Sequence, residues 1–317
     1  MKRILLAVML GIGVLGFAQS KKQRKIAQKY IIDKIRDYNS RDLVPYSKDG
    51  KKWALMDVKS RKILTDYVLS SPRTFDPTLY SYVDINGQQE YIRISLDYRV
   101  EREPVAIDPP AAVQTVDPNN PAFQVEEKRK IKVDKTKYKY ASEPILHKEE
   151  YYAVASKKDN SRALINEKGE ELEGFHFEMM EEIIHYKDKE SGETIFYVEG
   201  FDGKKGLVTI SGKKKLYGEL LQDVYNGILG YIVQKDGEST DEIKKSGIVD
   251  MITQEWLIKP QEKYKIYDII YTSSEALNIW RSSVKDRDKA NIYFLATDQS
   301  GQHFVLDIKG NPILPKN

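Results

Sequence analysis

The sequence predicts an all-β protein, built as an array of antiparallel β-hairpin repeats and preceded by a short N-terminal helix. Three observations support this: a short motif recurs, the chain contains 21 tyrosines, and apolar runs alternate with Asp-Gly, Asp-Asn and Asn-Gly pairs. Tyrosine and β-branched residues favour strands, and these pairs tolerate the positive φ of tight hairpin turns. A recurring unit is typical of repeat architectures. Closure into a propeller and stacking as an open solenoid both remain possible.

The recurring motif is a small residue, two apolar residues, and then Asp, Asn or Thr. The small residue is expected to let a neighbouring backbone or aromatic ring approach closely. The motif positions are Trp53, Ala54, Asp57, Ala163, Asn166, Gly206, Gly247, Asp250, Trp256 and Asp307.

Each unit reads as a strand, a turn, a strand, a second turn and a short third strand. The small residues Ala163, Gly206 and Gly247 lie 43 and 41 residues apart, which is close to the period of one propeller blade. The looser copy that ends at Asp307 comes later, so an insertion is expected between Tyr271 and Ala290.

Three segments that lack the repeat motif have their own patterns. Asn86-Gly87 separates two alternating runs and predicts a tight hairpin. Prolines crowd residues 101–125 and indicate an extended linker. Within 126–139, Ile131 and Val133 alternate with charged residues and indicate an edge strand.

The first eighteen residues predict a secretory signal peptide. Lys2 and Arg3 precede an apolar run of about 13 residues, which is too short for a membrane span of about 20. Cleavage is expected after Ala18, so the protein is expected to be exported to the periplasm or the cell exterior. A membrane anchor is the less favoured alternative, and no later segment is long and apolar enough to cross a bilayer.

The predicted boundaries are 1–18 for the signal peptide, 19–42 for a basic, helical segment, 43–100 for a β region with the first repeat, 101–125 for the linker and 126–317 for the repeat domain. Within the helical segment, the apolar face has the members Ile26, Tyr30, Ile31, Ile35 and Tyr38. A packing helix is favoured over one that rests on a membrane surface.

Composition excludes several classes of function. The chain has no cysteine, so no thiol nucleophile and no cysteine metal site is possible. The net charge of +3 conceals eight Lys or Arg in residues 21–41, which leave the remaining body mildly acidic. Nucleic-acid binding is therefore not expected.

The chain resembles the WG-repeat proteins of bacteria, whose unit reads Lys-x-Gly-Lys-Trp-Gly-Leu-Ile-Asp. Lys48–Asp57 is a degenerate copy with Ala54 in place of the glycine, and Gly247–Asp250 keeps the second half. Trp256–Pro260 and Ile308–Pro315 are similar to the ending of the unit. The resemblance implies β-hairpin arrays that mediate binding, and it implies no catalytic residues.

Catalytic patterns are missing from the sequence. Gly11–Gly16 matches a dinucleotide fingerprint but lies in the predicted signal peptide. His176 and His185 flank several glutamates without the spacing of a metal site. We therefore expect a non-catalytic protein without cofactor or metal, which binds a protein or glycan of the cell envelope. The alternative is a hydrolase that uses carboxylate chemistry on a β-repeat frame.

Overall fold

The computed structural model describes residues 22–100, 131–222, 227–277 and 284–316. The predicted signal peptide, the proline-rich linker and part of the predicted insertion lie outside these residues. One α-helix covers residues 22–35. The strands, in chain order, are β1 (Leu43–Tyr46), β2 (Ala54–Asp57), β3 (Leu79–Ile85), β4 (Gln88–Ile94), β5 (Tyr138–Ala141), β6 (Ile145–His147), β7 (Glu150–Lys157), β8 (Arg162–Asn166), β9 (Glu171–Phe177), β10 (Met179–Lys187), β11 (Thr194–Glu199), β12 (Lys205–Thr209), β13 (Lys214–Leu220), β14 (Gly227–Ile228), β15 (Tyr231–Lys235), β16 (Ser246–Asp250), β17 (Glu255–Gln261), β18 (Lys265–Ser273), β19 (Ala290–Thr297) and β20 (His303–Leu306).

The strands form antiparallel hairpin sheets, which confirms the predicted all-β class. Five strands form one sheet in the order β5-β7-β8-β9, with β6 paired to β7, and two sheets of four follow the orders β10-β11-β12-β13 and β14-β15-β16-β17. β18, β19 and β20 form a three-stranded sheet, and β1-β2 and β3-β4 are two-stranded.

The described residues divide into two compact units. The first contains 22–100, 227–248, 257–277 and 284–316, and the second contains 131–222 and 249–256. The sequence-based division placed everything after residue 126 in one domain, whereas packing groups the C-terminal strands with the N-terminal β region. The reason is a shared core, in which Trp53, Leu55 and Leu69 pack with Leu295 and Val305.

Three hairpins repeat the same strand register. Ala155 pairs with Ala163 in β7-β8, and Val198 pairs with Gly206, each 43 residues further along, in β11-β12. Ala296 pairs with Phe304 at the corresponding position of β19-β20. Each second strand then meets a third segment, which is β9, β13 or the bridge from Leu306 to Pro312. These modules have the predicted order of strand, turn, strand, turn and third strand, but the third strand is short only in the last module, since β9 and β13 have 7 residues and β8 and β12 have 5.

The N-terminal helix packs on the core of the first unit. Ala27, Ile31 and Ile35 are buried within that core, as expected for a packing helix. Ile26, which the sequence placed on the same face, is 45% exposed instead. Tyr30 and Tyr38 pack against the same core, so Ile26 is the one predicted member that is misplaced, and Ala27, four residues before Ile31, is buried instead.

The hairpin predicted around Asn86-Gly87 is confirmed. β3 and β4 pair continuously, with Leu79 opposite Ile94 at one end and Ile85 opposite Gln88 at the other. Asn86 and Gly87 have φ values of 56° and 76°. Two successive positive φ values are the requirement of a type I′ turn. The edge strand expected around Ile131 and Val133 is displaced along the chain. These two residues have no regular secondary structure, and the strand at this edge of the sheet is β5. In the described part of the chain, no helix is apolar and long enough to cross a membrane.

Candidate binding surfaces

The small residues of the repeat motif lie in the core. Ala54 and Ala163 are fully buried, and a Cβ placed on Gly206 would lie 2.4 Å from the Cα of Tyr217. The close approach at Gly206 is thus that of the Tyr217 backbone in the neighbouring strand β13. It coincides with a register shift between Lys205 and Leu207.

The last residue of the motif closes a turn in each of three modules. Asn166 Oδ1 accepts from the backbone N–H groups of Lys168 and Glu170, both at 3.0 Å. Asp307 Oδ1 accepts from Lys309 and Asn311 in the same way, at 2.9 and 2.8 Å. Thr209 Oγ1 accepts from Lys213 N–H at 3.1 Å. Side-chain oxygens of this kind satisfy the backbone donors of a turn.

The other two acidic motif positions close a turn that is one residue longer. Asp57 Oδ2 accepts from the Ser60 N–H at 2.7 Å, and Asp57 O accepts from the Arg61 N–H. Asp250 Oδ1 accepts from the Ile252 N–H at 2.9 Å, and Asp250 O accepts from the Gln254 N–H. All of these side chains therefore serve the turns of the fold.

The two motif tryptophans have different environments. Trp53 is buried, and its ring meets the His303 ring edge-on at 5.6 Å between centroids. His303 also lies 3.1 Å from the Tyr267 hydroxyl, and burial lowers its pKa. Trp256 is partly exposed, and its indole N–H donates to Glu219 at 3.1 Å. The sequence offered no signal that would have paired Trp53 with His303.

An exposed tyrosine face lies on the β3-β4 hairpin, outside the repeats. Tyr82 is 52% exposed and lies directly opposite Tyr91, with 5.4 Å between ring centroids. Tyr80 lies two residues from Tyr82 on the same face, and the Arg73 guanidinium stacks 4.9 Å from its ring centroid. We call Arg73, Tyr80, Tyr82 and Tyr91 the tyrosine face. Such rings provide rigid amphipathic contact area.

The positive charge of Arg73 acts on two carboxyl groups of the first unit, those of Asp76 and Asp268. Burial raises the pKa of Asp76 to about 6, and the charge of Arg73 opposes this shift. Burial also raises the pKa of Asp268, again against Arg73. Both groups are only half-buried.

A basic groove of about 740 Å³ borders β5 in the second unit. Lys135, Lys139 and Lys158 line it together with Tyr140, Ile131 and Val133. Among the described residues, no Asp or Glu lines it. The Arg162 guanidinium lies 5.6 Å from the ring centroid of Tyr140, which is 55% exposed.

One Ser, His and Asp cluster has the wrong geometry for nucleophilic catalysis. The Ser161 hydroxyl donates to Asp159 at 2.7 Å, and His176 Nε2 lies 3.1 Å from the same hydroxyl. A catalytic triad requires the histidine to stand between the serine and the acid. Here both partners contact the serine, and Ser161 itself is buried.

The most buried carboxylate of the second unit is held ionised. Burial alone would raise the pKa of Asp188, but Lys215 and the Ser191 donors outweigh it and lower the pKa to about 2. Glu193 is held ionised by its hydrogen bond from Ser211, which lowers its pKa. A general acid needs the opposite shift. No group of three or more potential metal ligands occurs among the residues that the structure describes.

Comparisons with known proteins provide little further information. No family model matches the chain. No curated protein matches it either. Among solved structures, the chain is similar to the β-propeller domain of Myceliophteria thermophila Cps50 (Swd1), at 10% identity and a TM-score of 0.23. The match covers 83% of this chain and 79% of that one.

Proposed function

We propose that this protein is an exported, non-catalytic binding protein whose hairpin repeats hold a surface for a protein or glycan of the cell envelope. The observation that carries the proposal is the tyrosine face. Three tyrosines and one arginine stand on the solvent side of a short sheet whose other side is buried. Tyr and Arg are the residues that dominate binding energy at protein interfaces, and the resemblance to WG repeats implies a binding role.

The test is a comparison of variants in a pull-down from cell-envelope extract. Tyr82→Ala with Tyr91→Ala removes the paired rings, and we expect it to lose the partner that the parent chain retains. Phe201→Ala, which removes a ring that is 61% exposed in the other unit, is the matched control. Protease or periodate treatment of the extract separates protein from glycan partners. Equal retention by parent and double variant would contradict the proposal.

Export has its own test. Cell fractionation of the expressed chain, followed by N-terminal sequencing, is expected to find it outside the cytoplasm with Gln19 first. An intact N-terminus in the cytoplasmic fraction would contradict that part of the proposal.

The carboxylate hydrolase has one supporting observation, the raised pKa values of Asp76 and Asp268 beside Arg73. A neutral carboxyl group is what a general acid needs. Hydrolysis of model glycosides that disappears in Asp76→Asn would favour the enzyme. If the parent chain does not hydrolyse these glycosides, this alternative is excluded.

A further inference from the structure

We propose that the basic groove beside β5 binds an extended acidic peptide, which adds to β5 as a further strand. This is a second site, in the unit that does not carry the tyrosine face, so it goes beyond the function proposed above. Three observations support it independently: the charge of the groove, its apolar lining, and the position of β5 in its sheet.

The charge of the groove is one-sided. Lys135, Lys139 and Lys158 line it, and no carboxylate among the described residues does so. Asp134 and Asp159, which are next to lining residues in sequence, accept hydrogen bonds from Thr136 and Ser161, and the lysine charges that lower their pKa values are those of Lys137 and Lys157, which do not line the groove. Lys139 donates to the Asn160 amide oxygen at 2.6 Å, which holds its ammonium without neutralising it. A ligand with several carboxylates complements this arrangement.

The apolar lining comes from the chain that leads into β5. Ile131 and Val133 pack against the buried cluster of Tyr138, Ala153 and Ile165 and remain partly exposed in the groove. A purely polar anion would leave these side chains uncovered. A peptide that combines acidic residues with small apolar ones would cover both parts of the lining.

The backbone of β5 provides the third observation. In the sheet formed by the described strands, β5 lies at the edge and pairs with β7 on one side only. An edge strand presents N–H and C=O groups that a second chain can pair with. Peptide ligands of many domains bind by this mode, in which main-chain hydrogen bonds supply affinity and side-chain pockets supply specificity. A polysaccharide has no main-chain amides in register with a strand, so the edge favours a peptide over an acidic glycan.

The experiment measures binding of a labelled peptide to the purified chain by fluorescence anisotropy at low and moderate salt. The probe is a peptide of about eight residues in which Glu alternates with Val, long enough for one strand. We expect saturable binding that weakens with salt, and that the variant carrying Lys135→Glu and Lys158→Glu weakens by about tenfold or more, since two charge-assisted contacts are lost. The matched control carries Lys168→Glu and Lys189→Glu, which change the net charge equally at exposed positions outside the groove.

Two further ligands separate strand addition from simple charge attraction. The same peptide methylated at alternate backbone nitrogens keeps its carboxylates but loses the donors that pair with β5, and we expect it to bind about tenfold more weakly. An oligogalacturonate of similar charge is expected to bind more weakly than the parent peptide. Equal affinity of the groove variant and its control, equal affinity of the methylated peptide, tighter binding of the glycan, or no binding at low salt would each overturn the proposal.

Discussion

The second strands of the repeat modules and the strands of the β3-β4 hairpin differ in how they are buried. The three central residues of β8 and nearly the whole of β12 and β16 are buried, on both faces. In β3 the residues alternate, so that Leu79, Ser81 and Val83 are buried and Tyr80 and Tyr82 are exposed. A continuous apolar run produces the first pattern and strict alternation produces the second. The second strands of the repeats therefore form the buried frame, and the hairpin outside the repeats exposes one of its two faces.

The largest effect is expected where a module contributes a ring to the core. Phe196 in β11 is fully buried, and Phe196→Ala is expected to lower the free energy of unfolding by about 3–5 kcal/mol, from lost burial and the cavity left behind. Tyr82→Ala on the hairpin is expected to lower it by about 1 kcal/mol or less, since only the cross-strand ring pair with Tyr91 is lost. Urea denaturation of both variants checks this. Similar midpoints would mean that the frame and the exposed hairpin do not differ as described.

The next effect concerns the close approach of backbones inside a module. Gly206→Ala places a Cβ against the backbone of Tyr217 and is expected to cost about 1–3 kcal/mol, because a backbone has little room to move aside. Gly227→Ala is the control, since its Cβ would meet Ile232 and Tyr231 only at ordinary contact distances of 3.5 and 3.6 Å. Denaturation midpoints of the two variants give the comparison, and equal loss would refute the steric explanation.

A smaller effect is expected at the turns. Asp307→Ala removes the acceptor for two backbone N–H groups and is expected to cost about 1 kcal/mol. Asp307→Asn keeps an oxygen at that position and is expected to retain most of the stability. Thermal unfolding of both variants is the measurement. If alanine and asparagine behave alike, the residue does not act through these hydrogen bonds.

A pH dependence is expected beside the tyrosine face, where Asp76 lies near Arg73. The pKa of Asp76 is raised from 3.8 to about 6, so the folded chain holds this proton more tightly than the unfolded chain. The free energy of unfolding should therefore fall as the pH rises between these two values. Asp76→Asn is expected to flatten this part of the curve, although Asp268 contributes a slope of the same sign. An unchanged curve in denaturant titrations at several pH values would contradict this assignment.

Much of the fold followed from local patterns, and little of the candidate surfaces did. The turn at Asn86-Gly87 and the module order depend on residues close together in sequence, so both were predictable. The pairing of Trp53 with His303 joins positions 250 residues apart and leaves no local signal. The groove was missed because β5 begins at Tyr138, later than the alternation around Ile131 indicated. The exposure of Tyr82 depends on what covers the sheet, which a single strand pattern does not specify.

The composition of the first unit has a consequence for synthesis. Its core joins Leu43 and Leu55, made early, to Leu295, Val305 and Ile313, made last. The second unit takes almost all of its strands from one continuous stretch. During translation the second unit can therefore fold before the first, because the core of the first unit also needs the C-terminal strands. The core around Leu43 and Leu55 therefore cannot be completed until the strands that carry Leu295 and Val305 have been made.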